Sequence, residues 1–142
     1  MKLLVKKDVT KVVGIRPPVM DGDVGYDLFL ADDTDIPSRT AHPISIPTEI
    51  SLKLPEGHWG LIVTRSSSNK KGLLVLPGII DCGYVGPIFV LVYNQTQITI
   101  KMKKHERVAQ FIILPIITPP IEIVTELPET TRGVKGFGST GA

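Results

Sequence analysis

Ile44-Ser45-Ile46-Pro47-Thr48-Glu49-Ile50-Ser51-Leu52-Lys53-Leu54 is the stretch that decides the fold class. Ile44, Ile46, Ile50, Leu52 and Leu54 take one side of an extended chain, and Ser45, Glu49, Ser51 and Lys53 take the other. A period of two is the signature of a strand with one face in the core. Trp59, Leu61 and Val63 repeat the alternation just downstream. Ile88–Tyr93 is a near-continuous apolar run rich in β-branched and aromatic residues, which predicts a strand covered on both faces. Ile98, Ile100 and Met102 alternate with Thr99 and Lys101, and Val108–Leu114 reads as a further buried strand. Pro37, Pro43, Pro55–Gly57, Gly72, Pro77–Gly78, Gly83–Gly86 and Pro115 punctuate the gaps. Short runs separated this way predict an all-β barrel or sandwich, not a βαβ plan. Lys101–Gln110 has helical propensity, but its apolar positions form no continuous stripe, so a turn is predicted there. A short helical turn is predicted around Ser67–Lys71.

The bulk properties agree. One domain is expected from 142 residues, and 42% apolar against 21% charged residues is a globular balance. Thirteen glycines and twelve prolines suit many turns. A net charge of +2 argues against a nucleic-acid partner. The single cysteine, Cys82, excludes an internal disulfide and fits a reducing compartment. Met1–Lys7 is too short in apolar residues for a signal peptide. Phe111–Ile117, broken by Pro115, falls far below the ~20 residues of a membrane span. A soluble, cytoplasmic protein with no membrane partner is expected.

Three segments set polar groups among apolar ones. In Gly25-Tyr26-Asp27-Leu28 an acid lies within a strand-like run, so it is either a charge paired with an arginine or a functional carboxylate. Thr64-Arg65-Ser66-Ser67-Ser68-Asn69-Lys70-Lys71-Gly72 carries three cations and four hydroxyls, which suits a polyphosphate at the start of a short helix or a plain solvated loop. Pro77-Gly78-Ile79-Ile80-Asp81-Cys82-Gly83-Tyr84-Val85-Gly86 puts an acid at a glycine-flanked hairpin. Asp81 there is either an ordinary turn aspartate or a general base that orients water. The tail from Arg132 reads Arg-Gly-Val-Lys-Gly-Phe-Gly-Ser-Thr-Gly-Ala, which builds no core. It is a frayed end or an arm that orders around an anion and a flat ring.

Other chemistries fail on spacing. His42, His58 and His105 have no metal-ligand spacing with one another or with Cys82. No Walker A lysine pattern occurs, and Gly138-Ser139-Thr140-Gly141 lacks the preceding glycine of a nucleophile elbow. Cys82 reads as a small buried filler, since the neighbouring carboxylate disfavours a thiolate.

Taken in order, these segments resemble the five motifs of the homotrimeric dUTP pyrophosphatases (dUTPases). Gly25-Tyr26-Asp27-Leu28 is similar to the first, and Arg65-Ser66-Ser67 with Gly72 to the second. Gly78-Ile79-Ile80-Asp81 with Tyr84 and Gly86 is similar to the third, and Arg107-Val108-Ala109-Gln110 to the fourth. Arg132-Gly133 through Gly136-Phe137-Gly138-Ser139-Thr140-Gly141 is similar to the fifth. The resemblance implies a jelly-roll-like, all-β domain over residues 1–131 with a flexible arm over 132–142, assembled as a trimer with shared active sites. It implies hydrolysis of dUTP to dUMP and pyrophosphate, a reaction that keeps uracil out of DNA and supplies dUMP for dTMP synthesis. Asp81 would hold the water that attacks the α-phosphate, and Asp27 would hold Mg²⁺ through water. The hairpin main chain, Gly78 and Ile80 included, would take uracil, with Tyr84 beneath the deoxyribose. Arg65, Ser66, Ser67 and Gln110 would serve the phosphates. From the arm, Phe137 would cover the uracil, while Arg132, Gly138, Ser139 and Thr140 close over the nucleotide.

The departures from the family pattern are Pro87 for an acid or amide, Val134 for an acid, His105 for a turn glycine and Val24 for alanine. Pro87 cannot donate to a ladder, which predicts an edge or a bulge. The rival within the superfamily is dCTP deaminase, which uses a glutamate just beyond the hairpin; Ile88–Asn94 has no acid. A non-catalytic trimer of the same fold, acting through protein contacts, is the other alternative.

Overall fold

The computed structural model describes residues 1–7 and 14–136. The alternating stretch becomes β5 (Ile44–Lys53), with Ile46, Thr48, Ile50 and Leu52 all buried. In chain order the other strands are β1 (Leu4–Lys7), β2 (Ile15–Arg16), β3 (Gly25–Phe29), β4 (Thr34–Ile36), β6 (His58–Val63), β7 (Leu73–Val75), β8 (Gly78–Ile80), β9 (Pro87–Asn94), β10 (Ile100–Met102) and β11 (Arg107–Pro115), with one helix, α1 (Ser66–Lys70). Two antiparallel sheets, ordered β1-β5-β9-β7 and β2-β3-β11-β6-β8, enclose one core, and β10-β4 forms a small third sheet. Among the described residues no helix is long and apolar enough to cross a membrane.

Leu28, Ile36, Val90, Val92, Val108 and Phe111 are all fully buried at the centre of that core. The packing is tightest where the Phe111 ring lies over Gly60: an added Cβ would stand 2.2 Å from its Cζ. This contact corrects the reading of β6. Trp59, Leu61 and Val63 do alternate, but the fully buried face is Gly60 and Ile62, because only a bare backbone leaves room for the ring. The buried polar groups of the core proper, Thr48 and Asn94, are matched. The Asn94 amide donates to the carbonyls of Ile36 and Ile98 at 2.8 and 2.7 Å, and its oxygen accepts from the Thr96 N–H and hydroxyl. Fully satisfied in this way, Asn94 ties the small sheet to β9 without leaving an orphan group in the core.

β9 differs from its prediction. Ile88, Val90 and Val92 are buried, but Phe89 and Leu91 remain 48% and 41% exposed, so one chain covers one face only. Pro87 is the first residue of this central strand and pairs with Ser51 across a register shift between Pro47 and Ser51, as its missing N–H requires. The turn predicted within Lys101–Gln110 is present: Glu106 N–H donates to the Lys103 carbonyl, and the Glu106 carboxylate accepts from Lys103 N–H. Asp33 holds the same turn, accepting from the Lys104 N–H at 2.8 Å and from Lys103 Nζ at 3.2 Å. Those donors, the Lys104 amide first, lower the Asp33 pKa. The clamp is therefore present above the ordinary aspartate range and fades as pH falls through the lowered value.

His105, in that turn, has φ 66°, the left-handed region where Cβ meets the following carbonyl. Replacing His105 with Gly should raise stability by about 0.5–1 kcal/mol, the strain relieved less the entropy glycine adds to the unfolded chain. At fixed protein concentration the melting temperature should rise by roughly 2–4 °C. A fall would mean that the imidazole makes a contact worth more than the strain.

Candidate functional site

The register of the five-stranded sheet assembles the first half of the site. Asp27 on β3 stands directly opposite Arg16 on β2 and Gln110 on β11, and Gln110 stands opposite Val63 on β6. Directly paired residues share a face, so Arg16, Asp27, Gln110 and Val63 form one row across four strands. Arg107 lies three residues before Gln110 and would face the other way in a regular strand. A register shift between Arg107 and Ala109 restores it to the row's side. Gly25 leaves space for the Gln110 side chain, which lies 3.0 Å from where a Cβ would be.

Asp27 is 8% exposed and meets three guanidiniums. Arg16 Nη2 donates to Oδ2 at 2.5 Å, Arg107 Nη1 lies 3.5 Å from the same oxygen, and Arg65 Nε lies 3.2 Å from Oδ1. Both alternatives for this acid therefore apply in part: it is a paired charge, and it organises a cluster. One carboxylate leaves two of three positive charges unbalanced, a local field built for a polyanion. Arg65 is in extended conformation just before α1, and its Nη1 donates to Ser67 Oγ at 3.1 Å. Ser66 and Ser67 form the exposed first turn of α1, whose N–H groups have no intrahelical acceptor. Ser68 is buried and reaches the Val108 carbonyl at 3.4 Å, holding α1 to β11. Beside the cluster is a cavity of about 100 Å³ lined by Arg65, Ser67, Lys71, Lys101, Glu106 and Arg107 among others.

The second half lies elsewhere. Gly78 and Ile80 are the ends of β8, and exposed Asp81 follows it, its carbonyl accepting from Tyr84 N–H at 3.0 Å. Tyr84 Oη donates to the Pro87 carbonyl at 2.8 Å. Gly86 leaves room for the Tyr84 ring in this position, since a Cβ would stand 2.6 Å from that hydroxyl and push the ring aside. Ile79, Ile80, Asp81, Tyr84, Pro87 and Phe89 line a cleft of about 280 Å³. Cys82 is half-buried, with Sγ 3.5 Å from the Pro55 carbonyl. β6 pairs Ile62 with Gly78 and Gly60 with Ile80, which sets Asp81 three strands across and several residues along from Asp27. Strand spacing and rise make that separation on the order of 15–20 Å.

Of the arm, Arg132 is exposed and donates from Nε to the Lys135 carbonyl at 2.8 Å. Phe137, Gly138, Ser139 and Thr140 lie outside the described residues. β11 ends at Pro115, and the chain beyond it carries Ile117, Ile121, Ile123 and Leu127 at 84% exposure or more. Arg16 and Ser68 were not singled out from the sequence, and Arg107 only as part of a motif. No local pattern marks a two-residue strand or a bulge.

A family model described as dUTPase matches residues 13–141. The chain belongs to the dUTPase family. Its relatives include the deoxyuridine 5'-triphosphate nucleotidohydrolase of Paramecium bursaria Chlorella virus 1, 38% identical over 99% of this chain and 96% of the relative. The Arabidopsis thaliana enzyme of the same name is 42% identical over 82% of this chain and 70% of its own. Among solved structures, a Staphylococcus bacteriophage 80alpha dUTPase with dUPNHPP superposes with a TM-score of 0.89 at 28% identity, covering 99% of both chains. Within this dUTPase, Asp27 is the counter-charge of the cluster. Replacing it with Asn should lower stability by about 1–2 kcal/mol at low ionic strength, and by less in salt, because Arg16 and Arg107 are half-exposed. Added pyrophosphate should recover more of the melting temperature in the variant than in the parent. An unchanged melting temperature at low salt would show that the guanidiniums do not depend on Asp27.

Proposed function

We propose that this dUTPase hydrolyses dUTP to dUMP and pyrophosphate at sites shared between three copies of the chain. The observation that carries the reading is the division of its chemistry. A basic, hydroxyl-rich cluster lies at Asp27, and a hairpin cleft with an exposed acid lies far from it in the same chain. A nucleoside triphosphate needs both, and a second copy brings them together. The apolar outer face of β9 and the exposed apolar residues after Pro115 support that assembly, since each leaves a surface that a neighbour would cover.

In this reading Asp81 accepts a proton from the water that attacks the α-phosphate, and its exposed position leaves room for that water. Main-chain groups of Gly78 and Ile80 meet the uracil edge. Cytosine reverses the donor–acceptor pattern, and each unpaired group costs ~1–3 kcal/mol, which gives a 10²–10⁴-fold preference for two mismatches. The Tyr84 ring, braced through its hydroxyl, forms the floor beneath the deoxyribose and leaves no space for a 2′-hydroxyl. Arg65, Ser66, Ser67 and Gln110 take phosphate oxygens. Arg132, Phe137, Gly138, Ser139 and Thr140 of a neighbouring arm close over the nucleotide and exclude water.

Mg²⁺, when bound with the triphosphate, neutralises phosphate charge. Among the described residues no three His, Cys, Asp or Glu side chains gather to cage a metal ion. Asp27, already engaged by guanidiniums, suits a cation that arrives on the phosphates and is met through one of its waters.

Pyrophosphate release should be seen with dUTP and Mg²⁺, and not with dCTP, dTTP or UTP. Asp81→Asn should lose ~10²–10⁴-fold in kcat while still binding nucleotide. Near-normal turnover in that variant would remove Asp81 from the mechanism. Refolding Asp81→Asn together with Gln110→Glu should restore activity that neither has alone, because some sites in the mixed trimer receive both intact halves. No recovery would place the whole site within one chain. Truncation before Arg132 should remove most turnover with little change in melting temperature. A large loss of trimer stability would make the arm structural.

A further inference from the structure

Arg16 belongs to none of the five motifs, yet β2 is a two-residue strand whose pairing consists of Ile15 with Leu28 and Arg16 with Asp27. Its guanidinium is held on two sides. Nη2 donates to Asp27 Oδ2, and the central carbon lies 5.8 Å from the centroid of the Phe29 ring, two residues along β3 on the same face. The ring face attracts the guanidinium and biases it toward Asp27, and its hydrogen bond to Oδ2 then favours one rotation of the carboxylate.

The two oxygens of Asp27 are unequal. Oδ2 takes Arg16 and is approached by Arg107, whereas Oδ1 faces Arg65 Nε at an angle that makes no hydrogen bond. Among the described residues Arg65 Nε is a buried nitrogen with no hydrogen-bond acceptor. Oδ1 therefore keeps hydrogen-bonding capacity that no side chain among the described residues fills. The geometry points to Arg16 as a positioning residue: it pins Asp27 through Oδ2, so that Oδ1 stays presented to a water of the divalent cation carried by the triphosphate. This inference rests on the reading of Asp27 given above. Arg107 is not equivalent, because at 3.5 Å it contributes charge without setting the carboxylate's rotation.

Calorimetric titration of a non-hydrolysable imido analogue of dUTP into the 142-residue protein, with Mg²⁺ and with EDTA, measures how much the cation adds to affinity. In Arg16→Gln that gain should shrink about ten-fold, a loss larger than the fall in metal-free affinity that the missing positive charge brings by itself. Arg16→Lys, which keeps the charge and loses the fork, should restore the metal-free affinity but only part of the gain, and guards against a folding defect in the first variant. In an Asp27→Asn background Arg16→Gln should reduce the Mg²⁺ gain no further. Equal loss of affinity with and without Mg²⁺ would overturn the inference in favour of direct phosphate contact by Arg16. So would an undiminished gain, or an additional loss of that gain in the Asp27→Asn background. If the parent itself gains nothing from Mg²⁺, the reading of Asp27 fails first and Arg16 falls with it. A gain kept by the parent and by Arg16→Gln alike sinks the role of Arg16 alone.

Discussion

β11 pairs with β3 on one side and β6 on the other, and its register places Gln110 and Arg107 beside Asp27. The lock is the Phe111 ring over Gly60, a fit that no other residue at position 60 permits. A slip of one residue would turn Phe111 to the outer face and Gln110 into the core, two errors that reinforce each other. Losing the ring altogether would cost about 3–5 kcal/mol by the usual measure of a buried aromatic. The bulge between Arg107 and Ala109 sits just upstream of this lock, so the strand can give up one regular pair without losing alignment. That irregularity is what brings Arg107 alongside Asp27.

The cluster built on this register is not a stability device. Arg16 and Arg107 keep nearly half their side-chain surface in water, where an ion pair contributes little beyond what it costs to order two side chains. What the arrangement supplies is preorganisation. Three guanidiniums oriented in advance around one carboxylate need little rearrangement when phosphate charge arrives, and that economy makes such fields effective in catalysis. Asp27 limits the mutual repulsion of the three arginines. With only 8% of its surface exposed, Asp27 meets the guanidiniums with little competing hydration.

Local patterns were legible to the extent that they depended on neighbours in the chain. The alternation in Ile44–Leu54, the helical turn beginning the Ser66–Lys70 segment and the turn before Arg107 follow from periodicity and propensity, and all are present. Pro87 too was readable, since a residue without an N–H has few places in a sheet and took one of them. Arg16 was not. Its partner is eleven residues away, and nothing short of the register itself places the two opposite each other. The buried face of β6 was misread for a related reason: the choice between its two faces was made by an aromatic ring on another strand. The distance between Asp81 and Asp27 is a property of the whole sheet, invisible to motifs that list both residues as parts of one site.

The apolar outer face of β9 connects that distance to assembly. Read alone, Ile88–Tyr93 predicts a strand covered on both sides, whereas one chain covers only Ile88, Val90 and Val92. The sequence pattern fits the proposed assembly better than it fits a single chain. Phe89 lies in the same cleft as Asp81 and Tyr84, so the surface that a neighbour would cover is continuous with the surface that would receive the nucleoside. Burying it removes apolar area from water and encloses the base in one step. A domain of this size gains a larger share of buried surface by doing so. Under the proposed assembly, the active form would depend on protein concentration through mass action. If the site is shared as proposed, no complete site exists before assembly, and the basic cluster meets a nucleotide only in the company of the hairpin proposed to select the base.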